Sequence, residues 1–139
     1  MSSDILLHVC CVPDASISWQ RLIEEGHRVT GFFYGSNIHP YSEFRRRAQD
    51  VETLSRTLGS DRVIGSYEPL RWLEAVREHL LAPEGGERCP LCFRAQLTAA
   101  ANRALSLGIG TLSTTLTISP HKDVALIERI GAEVCWEHC

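Results

Sequence analysis

Leu6-Leu7-His8-Val9-Cys10-Cys11-Val12-Pro13-Asp14-Ala15-Ser16 is the stretch that decides the fold. A short apolar run stops abruptly at two adjacent cysteines; a proline, an acidic residue and helix-forming sequence follow. The run from Ile5 to Val9, broken only by His8, reads as a buried strand. Ile17, Trp19, Leu22 and Ile23 then recur at helical spacing, with Asp14 or Ser16 positioned to cap the helix and Gly26 to end it. Val29 to Tyr34, β-branched and aromatic, is a second strand. Strand, helix and strand within about thirty residues make one βαβ unit, which implies parallel pairing with a right-handed crossover. Adjacent cysteines at the mouth of a strand do not easily bond to each other. They are expected to face a shared ligand, a metal or iron–sulfur site whose remaining ligands come from elsewhere in the chain.

Outward from that unit, Gly35 to Tyr41 is a loop of turn formers. A helix from about Ser42 to Leu58 carries Phe44, Ala48, Val51, Leu54 and Leu58 on one face and Arg45-Arg46-Arg47 in its first turns, and Gly59 stops it. Arg62 to Ser66 supplies a third strand, and Pro69 opens a helix over Leu70 to Leu81 with Leu73, Val76 and Leu80 aligned. Pro83-Glu84-Gly85-Gly86 reads as a flexible link. Cys89-Pro90-Leu91-Cys92 opens an alanine-rich helix, Cys92 to Leu107, closed by Gly108. Thr111 to Ile118 is a strand by propensity. Ser119 to Asp123 turns into a last helix through Val124, Leu126, Ile127 and Ile130, and Ala132 to Trp136 is expected as a closing edge strand.

The order β-α-β-α-β-α-α-β-α, with that closing strand, predicts a single α/β domain over residues 1–139. It is a three-layer sandwich with a mainly parallel, Rossmann-like sheet. Ligands of such sheets bind beyond the carboxyl ends of the strands. Cys10-Cys11, Gly35 to Tyr41 and Ser119 to Lys122 each follow a strand and are expected to converge there.

At 139 residues the chain can bury a real core, roughly 65–70% of its unfolded surface by size scaling. A net charge of −3 and a pI near 6.0 supply no overall field toward DNA or an anionic membrane. No apolar run reaches the roughly 18 residues of a spanning helix. Met1-Ser2-Ser3-Asp4 lacks the basic flank of a signal peptide, so a cytoplasmic protein is expected. Six cysteines are many for that compartment, and they fall in pairs: Cys10-Cys11, Cys89 with Cys92, and Cys135 with Cys139. In a reducing environment such pairs indicate metal binding or redox chemistry. A thiol pair at a helix N-terminus suits a redox dithiol. A thioredoxin-like dithiol, however, normally follows a first strand, and this one comes late in the chain. Ligand spacing and softness favour a metal, with zinc and an iron–sulfur cluster equally suited.

Four blocks carry a family resemblance. They are Leu7-His8-Val9-Cys10-Cys11-Val12-Pro13-Asp14; Gly31 to Phe44, containing Asn37-Ile38-His39-Pro40-Tyr41; Arg88-Cys89-Pro90-Leu91-Cys92-Phe93-Arg94; and Leu112-Ser113-Thr114-Thr115-Leu116-Thr117-Ile118-Ser119-Pro120-His121-Lys122. In this order they resemble the QueH family of epoxyqueuosine reductases. The resemblance implies a fold like that of the adenine nucleotide alpha-hydrolases. It also implies a cobalamin-independent reduction of epoxyqueuosine to queuosine at the wobble position of a tRNA anticodon. The implied cofactors are a [4Fe-4S] cluster and a second iron, fed by an unidentified electron donor. By the same resemblance Cys11, Cys89, Cys92 and Asp14 surround the cluster and Cys10 faces the second metal. Asp14 is the implied catalytic position, a hard and displaceable ligand that would leave one iron open to a substrate oxygen.

Longer family members end in a Cys-x-Cys pair. This chain reads instead as a short member in which Cys135 and Cys139, with His138, either take over that role or are incidental. Asn37, His39, Tyr41 and the stretch Ser113-Thr114-Thr115 are candidate substrate contacts, against the plainer reading that they shape loops or satisfy backbone groups, and Lys122 is a candidate substrate contact as proton donor or phosphate partner. Arg45-Arg46-Arg47 is ordinarily a solvated helix face, although a tRNA partner could engage it through phosphates. His8 is expected to be a satisfied core histidine. Two other functions compete. One is a non-catalytic zinc- or iron–sulfur-binding domain of the same fold. The other is an ATP pyrophosphatase, which the lack of any glycine between Cys10 and Ser16 disfavours.

Overall fold

In a computed structural model describing residues 4–79, 88–116 and 124–138, four strands form one parallel sheet. They are β1 (Asp4–Val9), β2 (Arg28–Phe33), β3 (Asp61–Ile64) and β4 (Thr111–Thr114), and they lie in the order β3-β2-β1-β4. Around them pack α1 (Val12–Glu24), α2 (Tyr41–Leu58), α3 (Pro69–Val76) with a 3₁₀ turn at Arg77–His79, α4 (Arg88–Leu107) and α5 (Val124–His138). β1 is central, paired in register with β2 from Asp4↔Arg28 to Val9↔Phe33 and with β4 from Ile5↔Thr111 to His8↔Thr114.

Alternation along the strands separates the two faces of the sheet. Leu7, Val9, Val29 and Phe33 meet Ala15 and Trp19 of α1 and Phe44, Ala48 and Val51 of α2. On the opposite face Leu6 and Phe32 meet Ala100 and Ala104 of α4, whose small side chains let the helix lie close to the sheet. α5 then packs on α4 through Leu97, Ala101, Ile127, Ile130 and Val134. The result is the expected three-layer α/β arrangement, with the central strands β1 and β2 buried on both sides as parallel sheets require and β3 and β4 at its edges. Gly31 of β2 is where the sheet comes closest to α1: a Cβ there would stand 2.3 Å from the Trp19 ring.

Several boundaries differ from expectation. α1 begins at Val12 with Cys11 as its N-cap residue, so Asp14 lies inside the first turn and neither Asp14 nor Ser16 caps the helix. Pro13 explains the early start, because a first-turn residue has no intrahelical use for its N–H and φ is already helical. α4 likewise begins at Arg88, which brings Cys89 and Cys92 into its first turns, with Pro90 again where a missing N–H is harmless. β3 ends at Ile64 and β4 at Thr114, both shorter than expected.

The closing strand over Ala132 to Trp136 is not formed; α5 continues through it. Ile127, Ile130 and Val134 are buried at helical spacing while Ala132 and Glu133 are exposed, a pattern a strand could not satisfy. The expected link at Pro83-Glu84-Gly85-Gly86 and the turn at Ser119 to Asp123 lie outside the described residues. Among the described residues no helix is long and apolar enough to cross a membrane.

Candidate functional site

Successive connections carry the chain from β1 to β2 and β3, and then back to lay β4 on the other side of β1. The strand order therefore reverses between β1 and β4, and the crevice beyond their carboxyl ends is the place where such sheets bind ligands. Cys10 and Cys11 stand there, half-buried, with their Sγ atoms 4.0 Å apart. Two thiolates on one tetrahedral metal with bonds of ~2.3 Å are separated by roughly 3.8 Å, so the pair is close enough to serve one soft metal or two adjacent ones. α1 and α2 also begin at this edge, and their positive ends favour thiolate charge.

Cys10 is held in place by the residue that follows β4. Its N–H donates to Thr115 Oγ1 at 3.1 Å, and that hydroxyl, fully buried, donates to the His8 carbonyl at 3.2 Å and lies 3.4 Å from Cys10 Sγ. Thr115→Val keeps the shape but deletes the hydroxyl that accepts from the Cys10 N–H. The expected loss is about 1–3 kcal/mol, read as a lower urea midpoint, with Thr115→Ser recovering most of it. His8 is buried, as expected, with Nδ1 2.9 Å from Thr114 Oγ1. Thr114 Oγ1 also accepts the Leu116 N–H at 3.1 Å, so this hydroxyl has work within the fold.

The second cysteine position is built differently. Cys92, half-buried on α4, accepts two hydrogen bonds at its sulfur: from the Trp72 indole N–H at 3.3 Å and from the Gln96 amide at 3.2 Å. Trp72 comes from α3 and also packs its ring 5.4 Å from that of His39, which joins the loop after β2 to Cys92. Cys10 packs against the cluster that contains Phe93, the residue after Cys92.

The loop after β2 turns at Gly35, where φ is +73° and a Cβ would meet the Phe44 ring at 2.4 Å. Beyond it Tyr67 donates to the Ile38 carbonyl at 2.6 Å and lies 3.4 Å from His39 Nδ1. Tyr41 packs on Tyr67 with ring centroids 5.3 Å apart, yet 56% of its surface stays exposed. Asn37 is half-buried in the same loop. This edge therefore presents an aromatic face beside the cysteines.

A groove of about 370 Å³ adjoins Cys92, lined among others by Tyr34, Glu68, Arg71, Leu91 and Arg94. Burial, then the negative charge of Cys92 and Glu68, push the Tyr34 phenol up to about 12, so it remains a proton-bearing donor at neutral pH. A larger cavity, about 520 Å³, opens at the opposite end beside Asp4, Arg28 and Asp61. It lies at the amino ends of the strands, and none of its described lining residues is a cysteine. In the arginine run, Arg46 and Arg47 both donate to Glu43, whose carboxyl they hold down at about 2, so one carboxylate of the same helix serves two of the three arginines.

Cys135, on α5, lines a separate apolar groove with Leu112, Ser113 and Thr114. Cys139 and Lys122 lie outside the described residues, as do the side chains of Asp14 and Cys89, whose backbones lie in the first turns of α1 and α4. Among the described residues no three His, Cys, Asp or Glu side chains gather closely enough to hold a metal ion. The donors that are described nevertheless fit a soft metal or iron–sulfur cluster: a sulfur pair at metal-like spacing, and a third sulfur that receives two N–H donors, as metal thiolates commonly do. Trp72, Gln96 and Tyr67 were not singled out from sequence, whereas Thr115 belonged to the Ser113-Thr114-Thr115 stretch and takes the plainer of its two expected roles, satisfying backbone groups at a strand end. Of the three missed, only Gln96 carried a signal, being one helical turn beyond Cys92.

A family model described as "Epoxyqueuosine reductase QueH" matches residues 5–138. Similar curated proteins include "Epoxyqueuosine reductase QueH" of Helicobacter pylori, 36% identical over 136 residues that cover 96% of this chain and 37% of the relative. The protein of the same name from Streptococcus pyogenes is 36% identical over 136 residues, covering 94% of this chain and 53% of the relative. That from Thermotoga maritima is 33% identical over 133 residues, with 94% and 67% covered. This chain thus spans between about a third and two thirds of the length of these relatives.

Proposed function

The chain belongs to the QueH family of epoxyqueuosine reductases, and from that premise we propose that it reduces epoxyqueuosine to queuosine at the wobble position of a tRNA anticodon without cobalamin. Two electrons and two protons are taken up, and the epoxide oxygen leaves as water. The observation that carries the reading is the coincidence of two findings. The family match runs through Cys10, Cys11, Cys92 and the loop of His39 and Tyr41, and these residues stand at the carboxyl edge of one sheet.

When bound, a [4Fe-4S] cluster with a second iron supplies the electrons and a Lewis acid for the epoxide oxygen. Cys11, Cys89, Cys92 and Asp14 are its proposed holders, with Cys10, and as further candidates Cys135 and Cys139, toward the second iron. The chain's own side chains do the rest. Asp14, a hard carboxylate among thiolates, is the ligand most easily displaced. Tyr41 and Tyr67 offer a face on which an unstacked anticodon base can lie. His39 and Trp72, in ring contact, link that face to Cys92. The Tyr34 phenol and Arg71 supply donors from the adjoining groove, while Asn37, Ser113, Thr114 and Lys122 are the proposed polar contacts to the modified nucleoside. A reducing, cytoplasmic setting and an external electron donor belong to the same proposal.

Anaerobic purification, iron and sulfide analysis, and incubation with epoxyqueuosine-tRNA and dithionite test it. Queuosine-tRNA is the expected product; bound zinc with no product would overturn the proposal. An Asp14→Ala variant with an unchanged electron paramagnetic resonance spectrum and unchanged activity would remove Asp14 from the ligand set.

A further inference from the structure

We infer that Trp72 and Gln96 are positioning residues that set the reduction potential of a metal centre held by Cys92, through their hydrogen bonds to its sulfur. The inference rests on Cys92 being a metal ligand, as proposed above. Both donors are almost wholly buried, Gln96 at 5% and Trp72 at 8% exposure. They reach the same sulfur from different elements, α4 and α3, at 3.2 and 3.3 Å.

A neutral thiol is a weak acceptor, and a buried amide or indole N–H gains more from an oxygen. Two such donors on one sulfur are well matched only when the sulfur carries negative charge, where hydrogen bonds are stronger and burial strengthens them further. Their geometry is also fixed beforehand. Gln96 sits one helical turn beyond Cys92, and Trp72 is braced against the His39 ring. N–H donors that withdraw charge from a ligating thiolate stabilise the more negative, reduced state of the centre and raise its potential. Removing them should lower it.

The test uses the full chain with Gln96→Met and Trp72→Phe, which keep apolar bulk while deleting one N–H each, and the double variant. Redox titration of the reconstituted cluster should give a more negative midpoint in each single variant and a larger shift in the double. The Fe–S(Cys) stretching bands in resonance Raman spectra should move to higher frequency in the same order. A purely structural role would lower cluster content or thermal stability yet leave the midpoint of the retained cluster unmoved; that result overturns the inference. If the wild-type chain assembles no cluster, the proposed cofactor fails, and Co(II) alone becomes the probe. A shift of the thiolate-to-cobalt charge-transfer band between wild type and variants then supports the tuning role. An identical band, or no cobalt uptake, overturns it.

Discussion

On the proposed function, Cys92→Ala is expected to leave the chain folded but to strip it of the proposed metal centre and to lower the proposed turnover of epoxyqueuosine-tRNA by more than about 100-fold. Partners that merely orient a ligand are commonly worth 10–100-fold in affinity or activity, and a ligand itself is worth more. The fold should survive because the thiol is only half-buried and is not part of the apolar cluster formed by Phe93, Leu97 and their neighbours. Its loss does leave the Trp72 and Gln96 N–H groups without their sulfur, at a cost on the order of 1–3 kcal/mol each if no water replaces it. Metal content by mass spectrometry and a circular-dichroism melting curve separate the two effects. Wild-type metal content in a folded Cys92→Ala protein would exclude Cys92 from the site.

Trp19→Ala is expected to be the most destabilising single change, by about 3–5 kcal/mol. The side chain is fully buried between α1 and the sheet, with its ring against the bare Gly31 backbone. Its indole N–H donates to Ser60 Oγ at 2.9 Å, and that hydroxyl in turn donates to the Val29 carbonyl at 2.5 Å. Truncation therefore opens a cavity that the glycine cannot fill and loosens the tie between β3 and β2. Against a total stability of about 5–15 kcal/mol for an ordinary domain, this is a large fraction. Urea titration measures it; a loss below about 1 kcal/mol, the scale of a single hydrogen bond, would mean that the ring contributes little packing.

How far such features could be read in advance depended on whether the signal was local. The glycines that end α1, α2 and α4 were legible because a helix stop is written in adjacent residues, and Gly59 adopts the expected left-handed conformation. The parallel sheet was legible because continuous apolar runs between helical patterns have few other solutions. The tail was misread since Ala132 to Trp136 is compatible with either period, and only packing on α4 decides for the helix. The cysteines of the candidate site were visible as pairs. Their supports were not, because Trp72 and Thr115 reach Cys92 and Cys10 across 20 and 105 positions, distances over which sequence patterns carry no information.

That last separation bears on when a metal can arrive. The hydroxyl that fixes Cys10 belongs to a residue 105 positions further on, and β1 lacks one of its two neighbours until β4 has joined the sheet. Closing so long a loop is paid for before its contacts form, which makes this pairing a late event in folding. On the ribosome, Cys10 is synthesised early but lacks this hydroxyl until Thr115 has emerged. Loading of the proposed metal centre is therefore expected to follow emergence of β4, with a completed sheet as its prerequisite.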